Sequence, residues 1–264
     1  MRFCTLISGS SGNSSIIMAN DTKILIDSGK SGKHIENCLK SLNVNPEEIT
    51  AILVTHEHTD HSSSVGILHR RYNIPIYATN GTFNQLIGSG KLGKVDSELL
   101  KTVESGKNFK IEKISITPFE IPHDSEEPVG YFFKTKKASA VIATDMGYLC
   151  ENVAETISGA DIVLLESNYD YDSLHNGDYP YFLKQRIDGQ DGHLSNNDAA
   201  KLAVNLANNG TKYIILGHLS KNNNTPELAY NEIAKMLNEA GFVIGKDIIL
   251  SVANRYDVGD LISI

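Results

Sequence analysis

The sequence lacks the features of secreted, disulfide-rich and membrane proteins. Its three cysteines, Cys4, Cys38 and Cys150, are scattered and odd in number, and no CxxC pair indicates a thiolate zinc site. Its longest apolar runs, such as 162–165, are far shorter than the roughly 20 residues that a membrane span requires. The N-terminus has no apolar core of a signal peptide. We therefore expect a protein of the reducing cytoplasm.

Positive charge is also scarce. The chain has 24 Lys and Arg against 32 Asp and Glu, which gives a formal net charge of −8. This balance disfavours a broad basic face for nucleic acid, although bound divalent cations would add positive charge where they act. The negative net charge makes a polyanionic substrate less favoured but does not exclude one.

Length and composition fit one soluble globular domain. A chain of 264 residues with 41% hydrophobic and 21% charged residues can bury a full core. We predict a single domain over residues 1–264, of class α/β. Apolar runs separated by turn residues predict an antiparallel meander over residues 3–26, with SGSSGN at 8–13 as a hairpin turn that lacks any mononucleotide-binding pattern.

Strands and helices then alternate along the chain. In the last third the patterns predict strands at 162–165, 213–216 and 247–252 and helices at 196–207 and 226–240. The segments KILIDSG and AVIATDMG both end a strand with Asp, a small residue and Gly, which suggests two similar halves. This rhythm favours two packed sheets with helices outside them.

Three histidines and an aspartate lie within six residues, directly after the apolar strand 51–54. They are His56, His58, Asp60 and His61. At the end of a buried strand these side chains can converge on a cleft while the strand fixes the backbone. Imidazole and carboxylate ligands suit Zn²⁺, Mn²⁺ or Fe. Four donors this close cannot all reach one ion without strain, so we predict two ions, with His56 and His58 on one and Asp60 and His61 on the other.

Further ligands must come from other parts of the chain. His123, Asp145 and His218 each follow a predicted strand. Any one of them alone would more often be an ordinary loop or core residue, but their shared position makes them candidate metal ligands.

These residues carry a resemblance to a known family. The chain resembles the metallo-β-lactamase superfamily over most of its length, through HxHxDH at 56–61 and then PHD, ATDMG and GHLS around His123, Asp145 and His218. The resemblance implies the αβ/βα four-layer sandwich, two facing mixed β-sheets with helices on the outside. It also implies a ligand set: one ion held by His56, His58 and His123, a second by Asp60, His61 and His218, and Asp145 bridging the two.

Several segments are similar to the YycJ/WalJ branch of that superfamily. They are SGSSGN, IDSGKSGK, PHDSEEPVGY, ESNYD, DGHLSN and GHLSKNNNTPELA. Flavodiiron proteins carry Glu where His58 stands, β-lactamases place Cys or Ser in the bridging region, and glyoxalase-II-like and β-CASP members need domains or inserts that this length does not hold. The resemblance implies a metal-dependent hydrolase that acts on DNA ends in the 5′ to 3′ direction.

Two further features have alternative explanations. His193 precedes a predicted helix, where it would protonate a leaving oxygen or merely cap a polar loop. Lys221, Asn222 and Asn223 follow His218 and would bind phosphate oxygens, unless they only form a polar loop before a helix.

The resulting hypothesis is a dinuclear phosphodiesterase with Asp60 and His193 as catalytic residues and two divalent ions, Zn or Mn with Fe as an option, as cofactors. A metal-bridging hydroxide would attack phosphorus between ions about 3.5 to 4 Å apart. The substrate would be nucleic acid, DNA ends in particular, or a small phosphodiester. The alternatives are a hydrolase of carboxylic esters, lactones or thioesters, and a catalytically inactive metal-binding regulatory protein.

Overall fold

A computed structural model describes residues 1–264. Its strands are, in chain order, β1 (Arg2–Ile7), β2 (Ser14–Ala19), β3 (Thr22–Ile26), β4 (Ala51–Leu53), β5 (Ile76–Ala78), β6 (Leu100–Thr102), β7 (Phe109–Ile111), β8 (Ile114–Glu120), β9 (Val129–Lys134), β10 (Ser139–Ala143), β11 (Ile162–Glu166), β12 (Tyr213–Gly217), β13 (Ile249–Val252) and β14 (Ile262–Ser263). Its α-helices are α1 (Gly32–Ser41), α2 (Thr59–Ser62), α3 (Val65–Tyr72), α4 (Asn80–Gly88), α5 (Glu151–Ile157), α6 (Tyr171–Asn176), α7 (Tyr181–Ile187), α8 (Asn196–Asn208) and α9 (Pro226–Glu239).

The strands form two sheets of seven strands each. Their orders are β14-β1-β2-β3-β4-β5-β6 and β13-β12-β11-β10-β9-β8-β7. Both sheets are mixed, because antiparallel pairs such as β1 with β2 and β7 with β8 accompany parallel pairs such as β3 with β4 and β11 with β12. The chain also divides into two compact units, Met1–Glu120 with Ser125–Lys137 and Asn254–Ile264, and Ile121–Asp124 with Ala138–Ala253.

In the first unit the predicted meander is confirmed. Strands β1, β2 and β3 pair antiparallel, and β3, β4, β5 and β6 then run parallel. Helix α1 begins after Ser31, whose side chain accepts a hydrogen bond from the His34 amide, and it buries Ile35, Cys38 and Leu39. These residues belong to the apolar core of this unit, which holds β4 in place.

In the second unit β10, β11, β12 and β13 are parallel, as strands joined by crossover helices should be. The predicted helices α8 and α9 are confirmed with their caps. Ser195 accepts from the Asp198 amide, and Thr225 precedes Pro226 at the first helical position. Parallel strands place all their carboxyl ends at one edge of the sheet, so residues after β10, β11 and β12 meet there.

Some short elements were not predicted. Helix α7 has no buried residue, and α6 buries only Leu174, so neither has the apolar periodicity by which a helix is recognised. None of the helices combines the length and the hydrophobicity that crossing a bilayer requires. The single domain over 1–264 stays a prediction.

Candidate metal centre

The first cluster of metal-type donors lies in the first unit, after the fully buried strand β4. The chain does not simply turn there, because it enters the short helix α2, whose N-cap position is occupied by His58. The ring centroid of His56 lies 4.7 Å from that of His58 and 4.2 Å from that of His61. His56 and His61 are fully buried, whereas His58 and Asp60 are partly exposed. The sequence-predicted quartet is therefore brought together.

Asp27 fixes the orientation of this cluster. One of its carboxylate oxygens, Oδ2, lies 2.8 Å from His61 Nδ1 and 2.9 Å from the Thr55 hydroxyl, and the other accepts the Thr55 amide at 2.8 Å. The Thr55 hydroxyl also lies 3.0 Å from His56 Nδ1. Burial raises the pKa of the Asp27 carboxyl. The hydrogen bonds from His61 and Thr55 lower this pKa, but by less than burial raises it. With Nδ1 of His61 toward this carboxyl, Nε2 carries the lone pair that a metal needs.

The glycine-rich loop at 8–13 and the loop after β3 pack against the same residues. The Asn13 amide donates to the Asp60 carbonyl at 2.7 Å, and its side-chain nitrogen lies 3.0 Å from His61 Nε2. Gly29 is a glycine because a Cβ there would lie 1.6 Å from the Asp60 carbonyl oxygen. This backbone contact holds the ligand loop close to the end of β3.

The second cluster lies in the second unit, at the carboxyl ends of its strands. Ligand atoms of Asp145, Glu166, His193 and His218 all lie within 4.8 Å of one another. His218 Nε2 is 3.3 Å from Asp145 Oδ1, and His193 Nδ1 is 3.8 Å from the same oxygen. His123 joins them, with Nε2 3.8 Å from Asp145 Oδ1 and Nδ1 3.1 Å from the Gly192 carbonyl.

Glu166 is the centre of the second cluster. Its Oε1 lies 2.8 Å from His193 Nδ1 and 3.0 Å from His218 Nδ1, and its Oε2 accepts the amides of Met146 and Leu194. Burial raises the pKa of this carboxyl, but the His193 charge and the hydrogen bonds from His193 and His218 outweigh burial, so the pKa is lowered. Glu166 is therefore a carboxylate at neutral pH.

Three of these residues have a left-handed backbone. Asp27, Asp145 and His218 have φ of 58°, 61° and 55° and each follows a strand. A residue other than glycine in this region costs about 1 to 3 kcal/mol, and such residues cluster at functional sites. The strain turns each side chain sharply away from its strand, which supports a functional role for all three.

The remaining candidates occupy different positions. Ser195, and not His193, caps α8. His193 lies two residues before this cap, and its ring contacts the Glu166 carboxylate. Lys221 and Asn222 are exposed, and Asn222 donates to the Tyr179 hydroxyl. Asn223 is buried, and its carbonyl accepts the Asp170 amide, so it holds the loop together.

The donor chemistry of both clusters fits divalent transition metals. The first cluster offers three imidazoles and a carboxylate, and the second offers three imidazoles and two buried carboxylates. His61 and His218 each place Nδ1 against a carboxylate, which is how metal-binding histidines are oriented in proteins.

Four residues of these clusters were not predicted from the sequence: Asp27, Thr55, Asn13 and Glu166. A signal for Asp27 was present, since KILIDSG shares its strand, Asp and Gly pattern with the segment of Asp145. Glu166 ends the apolar run of β11 in the same way that candidate ligands follow other strands.

Comparison with known proteins assigns the family. The family model described as "Beta-lactamase superfamily domain" matches residues 22–218. The chain is 42% identical over 246 residues to exodeoxyribonuclease WalJ of Streptococcus pneumoniae, which covers 93% of this chain and 91% of that protein. It is 36% identical over 248 residues to exodeoxyribonuclease YycJ of Bacillus anthracis, which covers 93% and 92%.

Solved structures share the fold at low identity. The metallo-β-lactamase fold protein YhfI of Bacillus subtilis matches with a TM-score of 0.74 and 17% identity, covering 98% of both chains. Zn²⁺-bound PqqB of Methylobacterium extorquens matches with a TM-score of 0.74 and 17% identity, covering 99% of this chain and all of the other. The predicted fold class is thereby confirmed. The chain belongs to the metallo-β-lactamase superfamily, in the family of the WalJ and YycJ proteins, and is a hydrolase of that superfamily.

Proposed function

We propose that the protein is a dinuclear metal-dependent phosphodiesterase that degrades DNA from its ends in the 5′ to 3′ direction. The observation that carries the proposal is the 42% identity, over nearly the whole chain, to a relative named an exodeoxyribonuclease. The two donor clusters support it, because they supply the imidazoles and carboxylates of a hydrolytic metal site.

The ligand assignment is taken from the superfamily resemblance. His56, His58 and His123 would hold one ion, Asp60, His61 and His218 the other, and Asp145 both. When bound, Zn²⁺ or Mn²⁺ (with Fe as an alternative) would lower the pKa of a bound water and neutralise charge on phosphoryl oxygens. The neighbours Asp27 and Thr55 would act as positioning residues, because they fix the rings of His56 and His61.

His193 is the proposed general acid. Its Nδ1 is held by the Glu166 carboxylate at 2.8 Å, which orients the ring. The side chain is 19% exposed, so its Nε2 can reach a substrate atom. In this role Nε2 would give its proton to the oxygen that leaves phosphorus, and Glu166 would remain ionised.

The loop after His218 is the proposed contact for the substrate backbone. Lys221 and Asn222 are exposed and polar, so they can bind phosphate oxygens of a DNA strand. Asn223 would support this loop from inside, because its side-chain nitrogen lies 3.4 Å from the Ser220 hydroxyl. We place the activity in the cytoplasm, where a reducing medium suits three free cysteines.

Digestion of end-labelled DNA tests the proposal. With Mn²⁺ or Zn²⁺, a duplex labelled at its 5′ end should release the label as mononucleotide at once. A strand labelled at its 3′ end should keep the label while the strand shortens gradually. The variant Asp60→Ala serves as the control for contaminating nuclease. Release of the 3′ label first would overturn the direction of degradation.

A parallel panel of esters, lactones and thioesters tests the main alternative, because the same metal site would polarise a carbonyl group. Turnover of that panel without cleavage of DNA would overturn the phosphodiesterase. A fully metal-loaded protein that is inert toward both classes would instead favour a regulatory protein.

A further inference from the structure

Positive charge is concentrated in one cleft of the first unit. The cleft has a volume of about 820 Å³ and lies between the β2–β3 turn, the β7–β8 turn and the segment after β9. Five of the 24 basic residues line it but only one of the 32 acidic residues. The charged residues are Lys110, Glu112, Lys113, Lys134, Lys136 and Lys137.

The strand register places two of these lysines on one face of the sheet. Lys110 is paired with Ser115, and Ser115 with Lys134. Directly paired residues of neighbouring strands share a face, so the two lysines stand on either side of Ser115, about 10 Å apart at the usual strand spacing. Asn108 exchanges hydrogen bonds with the Ser115 side chain, so no acid separates the two cations.

No ion pair joins the five lysines of the cleft to a carboxylate. Lysines that do pair with acids lie elsewhere, for example Lys23 with Glu48 and Lys212 with Asp161. In a chain with excess acid, five exposed and unpaired ammonium groups repel one another unless an external anion compensates them. The cleft therefore presents positive charge to a ligand.

The cleft lies one strand length from the first metal-type cluster. Strand β9 begins at Val129, whose amide donates to the Thr55 carbonyl, and it ends five residues later at Lys134. At about 3.3 Å per residue this separates the two places by about 17 Å. Because a nucleic acid strand advances about 3.4 Å per nucleotide, only a strand longer than about five nucleotides reaches both.

We propose that this lysine cleft binds the phosphate backbone of the DNA substrate at a distance from the cleaved bond. The inference rests on the proposed function, since a DNA-degrading enzyme with a net charge of −8 needs a local surface that attracts a polyanion. The cleft does not select the DNA sequence and takes no part in the hydrolytic reaction. It sets affinity, salt dependence and the minimum length of a well-bound substrate.

The test compares two variants of the full-length, metal-loaded enzyme with equal charge change. One carries Lys110→Gln, Lys134→Gln and Lys136→Gln in the cleft. The control carries Lys101→Gln, Lys235→Gln and Lys246→Gln, all exposed and outside it. Fluorescence anisotropy measures binding of a phosphorothioate oligonucleotide of about 30 nucleotides, which resists cleavage, as salt is varied.

The cleft variant should bind this strand more weakly and reduce the slope of log affinity against log salt by about 2 to 3, since each neutralised phosphate contributes about 0.7 to 0.9. The control should keep the wild-type slope. Cleavage of strands of about four nucleotides or fewer should be equal in the two variants and the wild type, because a strand that short cannot reach the cleft while it is bound at the metal-type cluster. Equal slopes for all three proteins, or an equal defect on short strands, would overturn the inference.

Two further measurements separate this inference from other outcomes. Hydrolysis of bis(p-nitrophenyl) phosphate should be equal in all three proteins, which shows that the metal site is intact. If the enzyme degrades DNA but the cleft variant binds DNA as the wild type does, the role of the cleft is rejected and the proposed function stands. If the enzyme does not degrade DNA but still binds it through the cleft lysines, only the proposed function is rejected. Lysine-dependent binding to vesicles of phosphatidylcholine and phosphatidylserine, without such binding to DNA, would assign the cleft to a membrane surface and overturn the proposal.

Discussion

At the scale of single residues, one carboxylate organises two histidines. Glu166 Oε1 faces Nδ1 of both His193 and His218, yet the two rings differ in access to solvent, with 19% of the His193 side chain exposed and 2% of that of His218. A buried ring held in this way suits a fixed ligand. A partly exposed ring suits a proton donor that meets a substrate.

The variant His193→Ala tests this division. It should retain both metals and substrate affinity but lower kcat on DNA by about 10² to 10⁴, the range for loss of a general acid. On a nitrophenyl diester the defect should shrink, because the phenolate leaves without a proton. Steady-state kinetics on both substrates, with metal content measured in parallel, provide the check. An equal defect on both substrates would reject proton donation and leave a structural role for His193.

The residues found from sequence and those missed differ in a physical way. His56, His58, Asp60 and His61 were predicted because four donors are adjacent in the chain. Asp27 and Glu166 act through space, on His61 34 residues away and on His193 27 residues away, and an acid that follows an apolar run does not show which side chain it contacts. Only the fold reveals these contacts.

At the scale of elements, the metal-type loop depends on a close contact between backbones. The change Gly29→Ala would push a methyl group into the Asp60 carbonyl. This carbonyl belongs to the backbone, so it cannot move away as a flexible side chain could. We expect a loss of about 1 to 3 kcal/mol in the free energy of unfolding and a fall of about 10² in activity, since displacement of a ligand loop by about 1 Å has that effect. Denaturant unfolding and kinetics measure the two effects.

The matched control is Gly88→Ala, at the end of α4. A Cβ there meets nothing within 4 Å, so stability should stay equal or rise by up to about 1 kcal/mol, and activity should not change. If both alanine variants behaved alike, the contact between Gly29 and Asp60 would not be what positions the loop.

A second prediction at this scale concerns Asp161, which ties together the starts of three parallel strands. Its carboxylate accepts the Ser139 amide and hydroxyl at 2.9 Å and pairs with Lys212 at 3.0 Å. Burial raises the pKa of Asp161, but Lys212 and Ser139 outweigh burial, so the pKa is lowered. A lowered pKa stabilises the fold above the ordinary value of about 3.9, and this stabilisation is lost as pH falls through the lowered value.

The variant Asp161→Asn should therefore be less stable than the wild type by about 1 to 2 kcal/mol near neutral pH, and the difference should vanish in strong acid. Urea unfolding at a series of pH values measures it. Lys212→Met, which removes one partner that is 63% exposed, should cost less than about 1 kcal/mol. A difference between wild type and Asp161→Asn that does not depend on pH would contradict the assignment.

Elements with a buried face were predicted nearly to their ends. Helix α8 runs over 196–208 where 196–207 was predicted, because Leu202 and Leu206 are buried at helical spacing. Helix α7 escaped prediction because Tyr181 and Phe182, 74% and 72% exposed, show no buried face to set a period. Sequence periodicity reports packing, so an element that packs on little leaves no periodic pattern.

At the scale of the whole molecule, negative charge and metal binding are linked. Asp145 and Glu166 are buried at 2% and 0% exposure, and buried carboxylates are stable only when cations or hydrogen bonds compensate them. We therefore expect the purified protein to hold close to two transition-metal ions per chain and to be stabilised by them. A ligand that binds only the folded state at about 100 times its Kd adds about 2.7 kcal/mol per site.

Two such sites should raise Tm by about 10 to 20 °C over the chelated protein, since 1 kcal/mol shifts Tm by about 2 to 4 °C at this chain length. Elemental analysis and thermal unfolding, before and after EDTA and after reloading with Zn²⁺ or Mn²⁺, measure both quantities. His58→Ala removes a partly exposed ligand of one proposed ion, so it should hold about one ion and keep part of the rise in Tm. A wild-type protein that takes up no metal on reloading would reject the dinuclear hydrolase, because histidines and buried carboxylates at strand ends would then have no cation to bind.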